Sequence, residues 1–497
     1  MKKLLIVIPL IALSACSSTH TLKQLQSEYD GYTYSAYVSD NLKTQEPQKA
    51  QPEVGLNRKK LKQQIRQLAS KKKQAGGRIN GVISQNNLYQ PSRTMLQKVA
   101  SLKLGKQSQI WLKNNASLDA VITLALRNNL DIKSAKEQAE SNLAKYDQVG
   151  FLDDMLAQYA AFTQDIKLTG STQKHKKKSV NAGFPFPGLL AIKASIIDQS
   201  VEVSRQALKQ TTQDVITKTR VAYHELQYSQ QDIDITTKKT KLLRSLKEEL
   251  ESNYSTNSAE LSGVLLVDIE IANSQNKRQI AKDKQQAQKA RLFALLNLPS
   301  DSKLGKLDKL KSAKLSNSSA MLIKQAQENR VEISRLKASL EKMKRIIQLS
   351  EKRFYPDFDA GFSRFQNGKF STKPKIKQNN FFAKNDAYLT ETRQKYQALQ
   401  SKIKALQTKT ADDVQQLISN YKTQKRTYVL YQDKLLPKAR TTKDISKSLF
   451  ETGETSFIEV IDAQEMILNF RLKSKQALKN MNISKAKLMR IVGVNRS

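Results

Sequence analysis

The chain has 497 residues, 39% of them hydrophobic and 26% charged, and its 85 Lys and Arg against 45 Asp and Glu leave a formal net charge of +40. Its one cysteine, Cys16, excludes disulfides within the chain and a thiol metal cluster. Such a basic balance usually points to nucleic acid, but the N-terminus directs the chain elsewhere.

MKKLLIVIPLIALSACSSTH begins with Lys2 and Lys3 and continues with an apolar run from Leu4 to Leu13. That run is too short to span a bilayer and reads as a signal peptide, residues 1–15. Leu13-Ser14-Ala15-Cys16 resembles the bacterial lipobox, where cleavage leaves Cys16 to carry lipid; the alternative is an ordinary secretory signal. Ser17 follows in place of an acid, which by resemblance to enteric lipoproteins sorts the protein to the outer membrane. No later apolar stretch approaches the roughly 18–20 residues of a membrane helix. An exported chain meets lipopolysaccharide phosphates, anionic lipid and peptidoglycan carboxylates, so no nucleic acid partner is expected.

Residues 16–115 form a polar N-terminal extension, with QEPQKAQPEVG (45–55) as a linker. NRKKLKQQIRQLASKKKQ (57–74) sets Leu61, Ile65 and Leu68 at helical spacing among many lysines. This is a short basic amphipathic helix, either a solvated strut along the body or a membrane-surface helix.

The body is duplicated. LALRNNLDIKSA (124–135) aligns with KQAQENRVEISRL (324–336), matching Ala125 to Ala326, Asn128 to Asn329 and Ile132 to Ile333; further on, Tyr254 matches Phe450. The first repeat spans 116–300 and the second 319–497, joined by a linker at 301–318. Each opens with a helix, capped in the first by Ser117 or Asp119 and running from Ala320 to Arg353 in the second. A strand follows: YAAFTQDIKLTG (159–170) and DFDAGFSRF (357–365) both alternate apolar with polar residues, the pattern of a barrel strand with an apolar outside. Lys-rich loops come next, STQKHKKKS (171–179), with Lys174, Lys176, Lys177 and Lys178, and NGKFSTKPKIK (367–377). KQNNFFAKNDAYL (377–389) is the return strand of the second hairpin, and it alternates poorly. Between Gly188 and Gly263 there is no glycine or proline, and the apolar residues recur at three and four. As one helix this run would reach about 100 Å, so it reads as a coiled-coil rod. The second repeat has the same run from Asn385 to Leu449, interrupted only by Pro437. Shorter helices return over 264–297 and 455–493. The fold class is mainly α with a small β part.

Four stretches resemble the TolC-like outer-membrane efflux family. SLDAVITLALRNNLDIKSA (117–135) is similar to its opening helix, and RFYPDFDAGF (353–362) to the start of its second hairpin. GFPFPGLLAIKASI (183–196) is similar to the return from its first hairpin, in the form of the heavy-metal efflux branch. LLPKARTTKDISKSLFETGETSFIEVIDAQEMIL (435–468) resembles the run through its periplasmic tip. The resemblance implies a homotrimer whose helices form a shared α-barrel and whose two β-hairpins per chain contribute to one transmembrane β-barrel. It further implies a passive duct opened by a periplasmic adaptor protein and served by an inner-membrane pump. Two β-hairpins cannot close a barrel alone, which independently asks for partners.

At the tip, Gly453 makes the turn after Phe450, and Glu459 and Asp462 stand at i and i+3 on one helical face. By resemblance these two acids line the periplasmic aperture, where threefold symmetry would gather six carboxylates. Tyr254, Asn257, Phe450, Gly453 and Thr455 mark the adaptor-docking tips. The first repeat departs here, with Asn257 in place of Gly453, Gly263 near an aperture position and Asp268 as the nearest acid downstream. Lys174, Lys176, Lys177 and Lys178 would meet outer-membrane lipid and lipopolysaccharide phosphates.

The histidines, His20, His175 and His224, form no metal motif, and no Walker loop, dinucleotide fingerprint or nucleophile elbow is present. No enzyme, cofactor or metal is expected. The alternative to a channel is a structural coiled-coil envelope lipoprotein without a working pore, favoured by the poor second hairpin and an aromatic content of 6%. A third class, a peptidoglycan- or surface-binding lipoprotein, rests on the basic charge alone.

Overall fold

The structure, a computed structural model, describes residues 58–84, 86–102, 105–148, 189–255, 261–315, 317–352, 363–364, 370–371 and 381–493. Cys16 and the signal peptide, the 45–55 linker, the first β-hairpin with Lys174, Lys176, Lys177 and Lys178, residues 183–188, and Asn257 lie outside them. The chain divides into two compact units, 1–66 and 67–497. Of the first, only the start of α1 (Arg58–Ser84) is described.

In the second unit the short helices α2 (Arg93–Ser101) and α3 (Lys106–Asn114) lead to α4 (Leu118–Asn128), α5 (Leu130–Gln148), α6 (Leu189–Ser255) and α7 (Leu261–Leu295). The second half follows the same order with α8 (Ser319–Asn329), α9 (Val331–Lys352), the strands β1 (Ser363–Arg364) and β2 (Phe370–Ser371), α10 (Phe381–Val429), α11 (Leu436–Glu451) and α12 (Phe457–Val492). α1 outruns its expected 57–74 span, and from Leu68 onward it lies on the core, with Ile79 and Val82 buried. That part of the helix is a packed strut.

Ser117, not Asp119, caps α4, its Oγ accepting the Ala120 N–H at 3.2 Å. The opening helix of each half is two helices rather than one. Asn129 turns extended after α4, and its Oδ1 accepts the amides of Asp131 and Ile132 at 3.0 and 3.2 Å, starting α5 afresh. In the second half Ser318 caps α8 and the extended residue is Arg330, whose guanidinium reaches Thr410 and Asp413 of α10 at 2.9 Å. The single helix expected over 320–353 therefore breaks at Arg330, whose side chain is bonded to α10.

α6 runs 67 residues without interruption, about 100 Å at 1.5 Å per residue. The expected return strand over 377–389 is corrected: the chain is helical from Phe381, and Leu389 and Thr392, three apart, are buried. Antiparallel pairing occurs earlier, Ser363 with Ser371 and Arg364 with Phe370, so the second strand falls in the segment read as a Lys-rich loop. The second long helix is disturbed one turn ahead of Pro437, by a π-helical stretch over Leu430–Leu435. There the Leu436 N–H donates to the Tyr431 carbonyl, five residues back. Proline has no N–H and crowds the carbonyl four residues earlier, and the wider turn relieves both before α11 begins.

The main core draws on both halves. Leu208, Val215, Ile216, Tyr223 and Leu226 of α6 pack with Leu124, Ile132, Leu292, Phe293, Leu488 and Val492. Residues 301–315 cross this core as a strap. The Gly305 N–H donates to the Leu112 carbonyl at 3.3 Å. The Asp308 carboxylate accepts the Leu118 N–H at 3.0 Å, and the Tyr223 hydroxyl accepts the Asp308 N–H at 2.9 Å. Asn482 of α12 accepts the Ala313 N–H and donates to the Lys311 carbonyl at 2.8 Å, while the Tyr421 hydroxyl donates to the Ala313 carbonyl at 2.9 Å.

Candidate functional site

α11 closes on a left-handed turn. The Glu454 N–H donates to the Leu449 carbonyl at 2.8 Å and the Gly453 N–H to the Phe450 carbonyl at 3.0 Å. This paired pattern requires a residue of positive φ at its centre, and Gly453 supplies it at +78°. A Cβ at Gly453 would meet nothing within 4 Å, so only the backbone conformation selects glycine there. Gly453→Ala is accordingly expected to cost about 1 kcal/mol, the price of a left-handed L-residue, in a urea unfolding midpoint. A cost below about 0.3 kcal/mol would show that the turn readily adopts another form.

The Phe450 and Phe457 rings meet across this turn with centroids 5.3 Å apart. Between them, Thr455 is half-buried and Ser456 is extended, its carbonyl accepting the Glu459 N–H at 3.2 Å. α12 then presents Glu459 and Asp462 outward while Ile461, Ile467 and Leu468 are buried. Ile461 packs among Leu243, Leu246 and Leu250 of α6 and Val264, Val267 and Ile271 of α7, with Phe457 at the edge. The second half's tip is thereby fastened to the first half's hairpin. Tyr254 lies exposed near the end of α6.

The acids of the two halves stand in different electrostatic settings. Asp268 is held by Lys247 at 2.7 Å, and Lys247 also faces Glu251 at 3.5 Å. Gly263 leaves its position without charge, although a Cβ there would touch only the Leu250 side chain at 4.0 Å. Sequence reasoning missed Glu465, one turn beyond Asp462 on the same face, and nothing local marks its partner. Lys239 of α6 reaches Glu465 at 2.5 Å and Glu270 of α7 at 3.6 Å, joining three helices through a largely buried ammonium. Glu459 and Asp462 have no ion-pair partner among the described residues. Burial, then repulsion from Glu465 and Glu459, pushes the Asp462 carboxyl above the ordinary carboxylate range. An outward pair of unneutralised acids on a fixed helix can attract cations and repel anions.

Among the described residues no group of acids, histidines or cysteines is placed to hold a metal, and no helix is long and apolar enough to cross a membrane. His224 is half-buried and bonded through Nδ1 to Gln227 at 2.9 Å.

Residues 322–494, which include the whole α11–α12 tip, match the family described as outer membrane efflux protein. No curated protein sequence matches the chain. Among solved structures, the outer-membrane channel OprN aligns at 13% identity and a TM-score of 0.58, covering 83% of this chain and 95% of its own. The CmeC outer membrane channel of Campylobacter jejuni aligns at 13% identity and 0.57, covering 80% and 91%. CusC, a protein that forms a transmembrane channel, aligns at 15% identity and 0.55, covering 77% and 94%. These likenesses concern the fold alone. Residues 322–494 thus carry an outer membrane efflux protein domain, and most of the chain shares its fold with these outer-membrane channels.

Proposed function

We propose that the protein is the outer-membrane duct of a tripartite efflux or export system. Three copies close into one tube, each giving two β-hairpins to a shared transmembrane barrel and its helical hairpins to a periplasmic α-barrel. The lipid on Cys16 anchors each chain in the outer membrane, and the basic tract Lys174, Lys176, Lys177 and Lys178 pairs with lipopolysaccharide phosphates. A periplasmic adaptor engages the tips at Tyr254, Asn257, Phe450, Gly453 and Thr455, and an inner-membrane pump supplies the energy. Glu459 and Asp462 face the aperture that the adaptor opens.

The observation that carries this reading is the family match over 322–494, which contains the complete tip with its unpaired acids. An apolar stripe supports assembly: Leu261, Leu265, Leu266 and Ile269 of α7 are each about half exposed or more in the single chain, although their neighbours Val264 and Val267 are buried. Exposed apolar rows of this kind mark surfaces covered by another chain. Detergent-extracted protein in a planar bilayer tests the reading. A small, cation-selective single-channel conductance is expected. Silence from well-folded trimers would replace the duct with a structural coiled-coil envelope lipoprotein.

A further inference from the structure

Residues 303–315 read KLGKLDKLKSAKL. Leu304, Leu307, Leu310 and Leu315 are half-buried against the helices beneath, while Lys303, Lys306, Lys309, Lys311 and Lys314 are exposed. The strap thus has one apolar edge and one cationic edge. Its backbone is fixed by the hydrogen bonds of Gly305, Asp308, Lys311 and Ala313 described above. It also lies so close to α3 that a Cβ on Gly305 would sit 2.3 Å from the Lys113 carbonyl oxygen. A row held in this way loses little backbone freedom on binding.

None of the five lysines has an ion-pair partner among the described residues. Some exposed lysines elsewhere pair with an acid one helical turn away, as in Lys133–Glu137, Lys238–Asp234 and Lys447–Glu451. The only acid in the segment, Asp308, is turned toward Leu118 and Tyr223. Beside the start of the strap is a cleft of about 820 Å³ lined in part by Lys282, Lys289, Ser300 and Ser302, with Asp301 its one acid. The cationic edge is therefore preorganised, unneutralised and broadened by a neighbouring groove.

We propose that this strap docks the carboxylate-bearing stem peptides of the peptidoglycan. The proposal rests on the reading above, which puts these helices in the periplasm. The strap is bonded to Tyr223 and Gln227, in the middle of α6. At 1.5 Å per residue they lie about 50 Å along the helix from Leu189, which in the proposed reading follows the membrane-embedded part of the first repeat. No lysine side chain spans that distance to lipid phosphates, whereas a carboxylated polymer in the aqueous space can meet the row directly. Several weak, aligned contacts add up through multivalency and are sensitive to salt.

The test is cosedimentation of the full-length, assembled protein with isolated sacculi at about 0.1 M and about 1 M salt. Binding is expected at low salt and lost at high salt. It should weaken about tenfold or more in a Lys303→Gln, Lys306→Gln, Lys309→Gln, Lys311→Gln, Lys314→Gln variant and persist when the same five become Arg. A matched variant with Lys402, Lys404, Lys409, Lys434 and Lys438 changed to Gln should bind normally, and sacculi with amidated carboxylates should not bind. Circular dichroism verifies that each variant is folded. Equal loss in both Gln variants, undiminished binding by the strap variant, or binding to amidated sacculi would overturn the proposal. So would strap-dependent binding to anionic vesicles, which would assign the row to lipid. Conductance separates the two readings. A conducting channel that ignores sacculi defeats the docking proposal alone, and a silent protein that binds them through the strap defeats the duct alone.

Discussion

Replacing Arg490 with methionine is expected to lower the unfolding free energy by about 2–4 kcal/mol. Arg490, in the last turn of α12, places Nε 2.6 Å from Asp214 of α6 and a terminal nitrogen 2.5 Å from Glu332 in the first turn of α9. Arg330 adds a second cation 3.5 Å from Glu332 and itself binds Asp413 of α10. Four helices from both halves are therefore joined through one network, with Arg490 and Glu332 less than one-fifth exposed. Losing the shared guanidinium leaves Asp214 without its cation and Glu332 with only the longer Arg330 contact, in a partly dry site, and it is this loss, not the net worth of the pairs, that sets the size of the effect. Solvent access to Asp214 keeps the value below that of a fully buried pair.

The pH dependence provides an independent readout. Burial works against a charged Glu332, but Arg490 and Arg330 more than compensate and hold its carboxyl below the usual range. A depressed carboxyl contributes stability that is fully present above its unfolded pKa, about 4.3, and is lost as the pH falls through the folded value. Wild type should lose stability in that acid window, and Arg490→Met should show a flatter profile there. Glu332→Gln in the Arg490→Met background should recover part of the loss. A urea midpoint that moves by less than about 0.5 kcal/mol would reduce the network to surface decoration.

Neutralising the tip acids should give the largest functional effect. On the proposed channel reading, a Glu459→Gln, Asp462→Asn variant should lose several-fold in its preference for cations over anions and rise in conductance, because ions would no longer meet the proposed ring of acids as they pass. One unit charge at about 4 Å is worth about 1 kcal/mol even in water, roughly a factor of five in ion occupancy, and the variant removes two charges per chain. Since Asp462 titrates above the ordinary carboxylate range, wild-type selectivity should begin to decline there on acidification, while the variant stays flat. Asp462→Asn should not destabilise the fold, because ionising this carboxyl is already disfavoured by burial and by its acidic neighbours. Reversal potentials in asymmetric salt measure the change, and unchanged selectivity would demote both acids to solvated surface.

Much of this architecture is legible along the chain because helices are local. The stretch from Leu189 to Ser255 holds no glycine or proline and repeats its apolar residues at three and four, enough to specify α6 without its neighbours. Gly453 likewise reads as a turn, and the family resemblance marks Glu459 and Asp462 on the following helix. Glu465 was within reach of the same spacing, one turn on.

What the tertiary structure decided depends on residues far apart in sequence. The helix expected from Ala320 to Arg353 breaks at Arg330 because Thr410 and Asp413 await its side chain on α10. Residues 377–389 lack a firm alternation, and packing decided for helix from Phe381. Lys239 is one lysine among many until α7 and α12 bring Glu270 and Glu465 beside it, and nothing in KLGKLDKLKSAKL shows that Tyr223, Tyr421 and Asn482 will pin its backbone. Periodicity fixes which face of a helix is apolar. Which charges are neutralised, and which remain free to meet a partner, is set only when the helices come together.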